Sequence, residues 1–144
     1  MEIREVKRFS KRVFQAVNRL LPQLDPESAT LTEEKFRKII SSEGTHFFIA
    51  EEENREISGI LSAVVYHIPT GTKFWIEDVV VGEVFRGKGI GKALMLDAIK
   101  FAKQSGAKSV DLTSRPYRIA ANRLYQELGF ELRETNVYRY SLKH

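Results

Sequence analysis

The chain has 144 residues, enough for one domain that buries about 70% of its unfolded surface and too few for two ordinary ones. Its 42% hydrophobic and 29% charged residues are those of a globular protein, and 9 Gly with 4 Pro exclude collagen-like and low-complexity chains. Zero Cys excludes a disulfide scaffold, a thiolate zinc site and a Cys nucleophile, while 23 Lys+Arg against 19 Asp+Glu leave +4, a balance that suits an anionic ligand.

Glu2 to Lys7 reads as a short first strand. Ser10 can cap a helix whose apolar stripe is Val13, Phe14, Val17, Leu20 and Leu21, with Pro22 and Pro26 expected to end it. A second helix opens at Thr32-Glu33-Glu34, where acidic residues suit the positive end of the helix dipole. Phe47 to Ala50 and Ile57 to Ile68 read as a hairpin across the polar turn Glu53 to Glu56. After the turn Pro69 to Thr72, Phe74 to Val81 is the most apolar strand, expected to be buried on both faces. Simple alternation puts Trp75, Glu77, Val79 and Val81 on one face and Ile76, Asp78 and Val80 on the other.

Gly82 to Lys92 is a glycine-bearing loop that feeds a helix running to about Gln104. Lys108 to Thr113 reads as a strand and Arg118 to Leu128 as a helix closed by Gly129; Phe130 to Leu132 and Val137 to Leu142 read as a last pair of strands. Strand–helix–strand units mixed with hairpins predict a mixed α/β fold. No run of about 18 apolar residues exists, and Met1 to Arg12 lacks an apolar signal segment, so a cytoplasmic protein with no membrane partner is expected. Charges alternate, as in Glu33-Glu34-Lys35-Phe36-Arg37-Lys38, which argues against a nucleic-acid partner.

The loop carries most of the information. Glycines at 87, 89 and 91 let the backbone approach a ligand, and the helix that follows presents free N–H groups and partial positive charge. Arg86, Lys88 and Lys92 add full charges. A Rossmann fingerprint fails because Lys92 takes the third glycine position, and a P-loop fails because Gly89 replaces the hydroxyl residue. The pattern Arg/Gln-x-x-Gly-x-Gly/Ala is met by Arg86, Gly89 and Gly91.

With this loop and the later Leu124-Tyr125-Gln126-Glu127-Leu128-Gly129-Phe130, the chain resembles the GNAT superfamily of acetyl-CoA-dependent N-acetyltransferases over nearly its whole length. The resemblance implies a single N-acetyltransferase domain over residues 1–144. It would have a mostly antiparallel sheet of six or seven strands with helices on both faces. It further implies acetyl-CoA as co-substrate and transfer to a primary amine on a small molecule or peptide. The alternative is a noncatalytic CoA-binding module on the same fold, and a homodimer is open. The resemblance implies that the CoA pyrophosphate lies on the backbone of Arg86, Gly87, Lys88, Gly89, Ile90, Gly91 and Lys92, and that the pantetheine arm pairs with Val79, Val80 and Val81 like an added strand.

Transfer needs an amine that loses a proton and a thiolate that gains one. Tyr125 falls where family members carry the proposed proton donor; the competing reading is a core tyrosine. Glu77, in a stretch similar to glucosamine-6-phosphate N-acetyltransferases, is the candidate base; the competing reading is a carboxylate that it or Asp78 contributes to an ion pair with Lys or Arg. Asn122 bonds a CoA amide or is a surface helix residue, since Arg118 stands where many members place Asn. His46, His67 and His144 have no metal spacing, and no metal is expected.

Overall fold

The computed structural model describes residues 1–143. The chain divides into two compact units, residues 1–113 and 114–144, taken separately below.

The first unit holds five strands and three helices: β1 (Glu2–Glu5), α1 (Lys11–Leu24), α2 (Glu33–Ser41), β2 (Thr45–Glu51), β3 (Ile57–Ile68), β4 (Gly71–Val81), α3 (Ile90–Gln104) and β5 (Asp111–Leu112). The strands lie in the order β1-β2-β3-β4-β5. The first four pair antiparallel; β4 and β5 are parallel, joined across α3.

Ser10 caps α1 by accepting from the Val13 N–H, and Thr32 caps α2 by accepting from the Lys35 N–H. Val13, Ala16, Val17 and Leu20 bury one stripe of α1, spaced three, one and three apart. Pro22 does not end this helix, contrary to expectation: it sits in the last turn, where one lost N–H removes a single bond, and the helix continues to Leu24. Pro26 provides the stop. It drives Asp25 to an extended conformation (φ −144°, ψ 103°), and the Asp25 N–H closes the helix on the Leu21 carbonyl at 3.1 Å.

The two faces of the sheet have different covers. On one face α1 and α2 meet Phe47, Ile49, Ile60 and Val80 in a single apolar cluster centred on the fully buried Phe36. On the other face α3 places Phe101 against Phe48 and Phe74, with ring centroids 5.6 and 6.2 Å apart. The start of α3 comes very close to β3. A Cβ on Gly59 would lie 3.0 Å from Leu94 Cδ1 and 3.3 Å from Ile90 Cγ2, so glycine is required there by space.

The second unit contains α4 (Ile119–Glu127). Its C-terminus is a Schellman motif: Gly129 is left-handed (φ 98°), its N–H bonds the Gln126 carbonyl, and the Phe130 N–H bonds the Tyr125 carbonyl at 2.9 Å. The Tyr125 and Phe130 rings sit 6.0 Å apart, the side-chain contact that accompanies this motif. The Leu-Tyr-x-x-x-Gly-Phe segment is thus a helix stop written in sequence.

The sheet has five strands, and the expected six or seven are not found among the described residues. Neither Phe130–Leu132 nor Val137–Leu142 is a strand, and the expected Lys108–Thr113 strand shrinks to Asp111–Leu112. Alternating side chains make a segment suitable for a sheet, but a strand forms only where a neighbour supplies the ladder, and sequence does not name that neighbour. Among the described residues no helix is long and apolar enough to cross a membrane.

Candidate active site

The loop after β4 is held at both ends. The Gly82 N–H bonds the carbonyl of the buried Ser58 at 2.8 Å, and the Glu83 N–H bonds Gln23 Oε1 at 2.9 Å. A short 3-10 turn, Glu83–Phe85, follows. Gly87 and Gly89 both have φ of 79°, in the left-handed region, and Gly89 is the residue immediately before α3. The first helical bond runs from the Ala93 N–H to the Gly89 carbonyl at 3.0 Å. The N–H groups of Ile90, Gly91 and Lys92 are therefore first-turn amides with no intrahelical acceptor, at the positive end of a 15-residue helix. A Cβ on Gly87 or Gly89 would meet nothing within 4 Å, so the backbone faces open space on that side.

Arg86, Lys88 and Lys92 are exposed around this backbone, and the Lys88 ammonium lies 5.7 Å from the Phe85 ring centre. Ile90 is different: its side chain is buried against the sheet and anchors the helix start. Free amides, two glycines with open space over them and three basic side chains fit a diphosphate group.

Upstream, β4 departs from the simple strand expected of it. Ser62 pairs with Glu77 and Ile60 with Val80, so Leu61 of β3 faces two residues, Asp78 and Val79. This is a β-bulge, and Asp78 within it has φ of 47°, rare for a residue other than glycine. The extra residue reverses the facing of everything after it. Phe74 packs toward α3, as expected of the even-numbered positions, but Val80 lies in the α1/α2 cluster with Ile60. The expected shared face of Ile76, Asp78 and Val80 is thus corrected. So is the expected burial of both faces: Glu77 and Asp78 are exposed.

The bulge also marks where β4 leaves its neighbour. The ladder with β5 consists of Trp75–Asp111 and Ile76–Leu112, so Glu77 to Val81 run past it, paired with β3 on their other side. Val79, Val80 and Val81 therefore lie on a stretch of β4 beyond the β5 ladder, directly before the loop. An open edge of this kind suits an amide-bearing chain added as a further strand.

Glu77 holds its proton above the ordinary carboxyl range, chiefly through partial burial and secondarily through the Asp78 charge beside it. Among the described residues no Lys or Arg forms an ion pair with Glu77 or Asp78. Beneath the bulge is a cavity of about 100 Å³, lined by Val17, Leu21, Leu31, Phe36, Ile39, Phe47 and Ile60, with Ser62 and Asp78 as its polar lining. A larger surface hollow, about 400 Å³, lies at Met1, Glu52, Glu53, Asn54 and Phe85; it holds none of the expected site residues.

In the second unit, burial pushes the Tyr125 phenol above its usual value, and Arg118 pulls weakly the other way. The group therefore stays protonated through neutral pH. Asn122 Nδ2 donates to the Arg115 and Arg118 carbonyls at 3.0 and 2.8 Å, which ties down the turn that enters α4. Residues not singled out from sequence also shape the site: Ser62 across from Glu77 and Gln23 under the loop, while Asp78, considered from sequence as an ion-pair partner, sits in the bulge. The adjacent pair Glu77-Asp78 was the available signal, since two neighbouring polar residues in an alternating strand break its period.

A family model described as the acetyltransferase (GNAT) family matches residues 11–130. Human N-acetyltransferase 8B is 31% identical over 97 residues, covering 66% of this chain and 42% of its own length. The glucosamine 6-phosphate N-acetyltransferase of Trypanosoma brucei brucei is 33% identical over 99 residues, covering 56% of this chain and 65% of its own. The chain spans less than half the length of the first curated relatives it matches. A solved putative acetyltransferase from Agrobacterium tumefaciens superposes with a TM-score of 0.85, over 98% of this chain and all of its own, at 22% identity, a likeness of fold.

Proposed function

The chain belongs to the GNAT acetyltransferase family, and from that premise we propose that residues 1–144 act as one N-acetyltransferase domain that moves an acetyl group from acetyl-CoA to a primary amine in a ternary complex. The observation that carries this reading is the continuous run from the open β4 edge through the left-handed glycines to the bare N-terminus of α3.

Each part of that run has a task. The amides of Gly87 to Lys92 hold the pyrophosphate, assisted by Arg86, Lys88 and Lys92. The backbone of Val79, Val80 and Val81 pairs with the pantetheine arm, while the valine side chains only pack. Asn122 keeps the entrance of α4 in order with its Nδ2 group and offers its Oδ1 as an acceptor to an N–H of the same arm. When bound, acetyl-CoA supplies an activated thioester.

Glu77 takes a proton from the arriving ammonium and so frees the lone pair that forms the new C–N bond; the second proton, shed from nitrogen as the amide forms, replaces the one that Tyr125 gives to sulfur. Its raised pKa brings it nearer to the amine's own range and makes it a better proton acceptor at neutral pH than an ordinary carboxylate. Tyr125 gives its proton to sulfur as the C–S bond breaks, and burial keeps that proton available. The acceptor approaches from the side of the bulge, where Glu77 and Asp78 present negative charge to an ammonium group.

The test is release of the CoA thiol from acetyl-CoA with a mixed panel of amines, read together with an acetyl mass shift on the product. Amine-dependent thiol release with a matching mass shift supports the reading. Tight acetyl-CoA binding with no transfer to any amine would make the chain the noncatalytic module instead.

A further inference from the structure

We propose that the acceptor amine is carried on a compact aliphatic body of about four or five carbons, seated in the cavity under the β4 bulge with its nitrogen at Asp78. This inference rests on the acetyl transfer proposed above and names the class of acceptor.

The cavity has two chemically distinct ends. Deep in the α1/α2 face it is walled by Leu31, Phe36 and Ile39, with Phe36 fully buried. At the bulge its lining turns polar, at Ser62 and the exposed Asp78, so that end is the one that reaches solvent. Its volume of about 100 Å³ is two-thirds of the roughly 150 Å³ at which an apolar cavity takes up benzene. A short branched or linear alkyl group fits that space, and a sugar ring with its hydroxyls would leave polar groups without partners.

Charge selects in the same direction. Asp78 is the charged residue of the lining, Glu77 precedes it on β4, and among the lining residues none is basic. An ammonium is attracted there, whereas a carboxylate or phosphate on the acceptor meets two like charges. The strained backbone of Asp78 matters too: φ of 47° sets it in the bulge, where it lines the cavity with Ile60 and Ser62 of β3, whereas regular alternation would turn it to the other face.

The experiment is a kcat/KM comparison at saturating acetyl-CoA across isopentylamine, spermidine, aspartate and glucosamine 6-phosphate. Isopentylamine should lead the two acidic amines by at least about tenfold, and Asp78→Asn should narrow that gap. Leu21→Trp, which fills the cavity from a half-buried position, should raise the KM for isopentylamine about tenfold while acetyl-CoA affinity stays within about twofold of wild type. If the melting curve shows that this variant is not folded, Leu31→Phe makes the same test from the opposite wall. A preference for the acidic amines or for spermidine, or an unchanged isopentylamine KM in a folded cavity-filling variant, overturns this inference and leaves acetyl transfer standing. Transfer to none of the amines, with acetyl-CoA still bound, overturns both.

Discussion

The loop from Gly82 to Lys92 and the carboxylate pair Glu77–Asp78 at the β4 bulge lie close in sequence but are built on opposite principles. The loop offers a ligand main-chain amides, made accessible because Gly87 and Gly89 are left-handed and bare. This part of β4 offers side-chain carboxylates, Glu77 just before the bulge and Asp78 within it, both exposed where the regular pairing with β3 breaks. A backbone site depends on conformation and space, and it tolerates most changes to neighbouring side chains. A side-chain site depends on charge and pKa, and it fails on a single isosteric substitution. The proposed proton donor, Tyr125, belongs to the second kind.

The largest expected effect therefore comes from an isosteric change. Tyr125→Phe should leave acetyl-CoA affinity and melting temperature close to wild type, because only a hydroxyl is lost and the ring contact with Phe130 is kept. Turnover should fall about 10²–10⁴-fold, seen in kcat, since the donor acts in the transition state. A variant that keeps more than half of its kcat would return Tyr125 to the role of a packing residue.

Gly89→Glu attacks the backbone site. It forces a left-handed φ on a side-chain-bearing residue and puts a negative charge over the free amides. Acetyl-CoA affinity measured by calorimetry should fall at least about tenfold, or about 1.4 kcal/mol. Unchanged affinity in a folded variant would remove the loop from the account.

Glu77→Gln separates the two regions by pH. The base works only when ionised, and its folded-state pKa is raised, so wild-type turnover should climb with pH through a midpoint above the ordinary carboxyl range. The variant should lose about tenfold or more near pH 6 and recover part of that by pH 9, as the amine deprotonates unaided. Wild-type turnover across the whole range would reduce Glu77 to structure. Stability moves in the opposite sense. In the window between the unfolded and folded pKa values the folded chain holds a proton that the unfolded chain has released. Glu77 therefore favours folding below that window and progressively less as pH rises through its folded pKa. Because the side chain is mostly exposed, Glu77→Gln should raise the melting temperature at pH 8 by about 1 °C or less, and by nothing at pH 4.

Lys88→Ala should be mild for the reason that makes Gly89→Glu severe. Lys88 is exposed and contributes charge alone, so acetyl-CoA affinity should fall by about two- to fivefold, and less at high salt. A loss as large as that of Gly89→Glu would mean that the side chains, and not the amides, hold the ligand.

The same contrast governs what could be read before the structure. The loop was legible because its signal is residue type at fixed spacing: glycine is the default where φ is positive, and Gly87, Gly89 and Gly129 all sit there. The bounds of β3 and of α3 followed from hydrophobic period and stop signals. The bulge was not legible as geometry, because alternation assumes one residue for one across a ladder, and the register is set by β3 as much as by β4. For the same reason alternation alone puts Val80 on the face opposite to the one it occupies beside Ile60. The late segments 130–132 and 137–142 carry a strand's alternation, yet no ladder forms there among the described residues, so pattern alone overcounted the sheet. Pro22 misled because the cost of proline depends on how many helical bonds lie beyond it, and that is decided by Asp25 and Pro26.

The central claim is that main-chain amides hold the co-substrate, and amide chemical shifts of the isotopically labelled chain during a titration with CoA test it most directly. The account predicts the largest shifts at the N–H groups of Gly87 to Lys92 and at Val79 to Val81, with small changes along α2. Saturating CoA that leaves residues 87–92 unmoved, or that perturbs chiefly the hollow at Glu52 and Asn54, would contradict it.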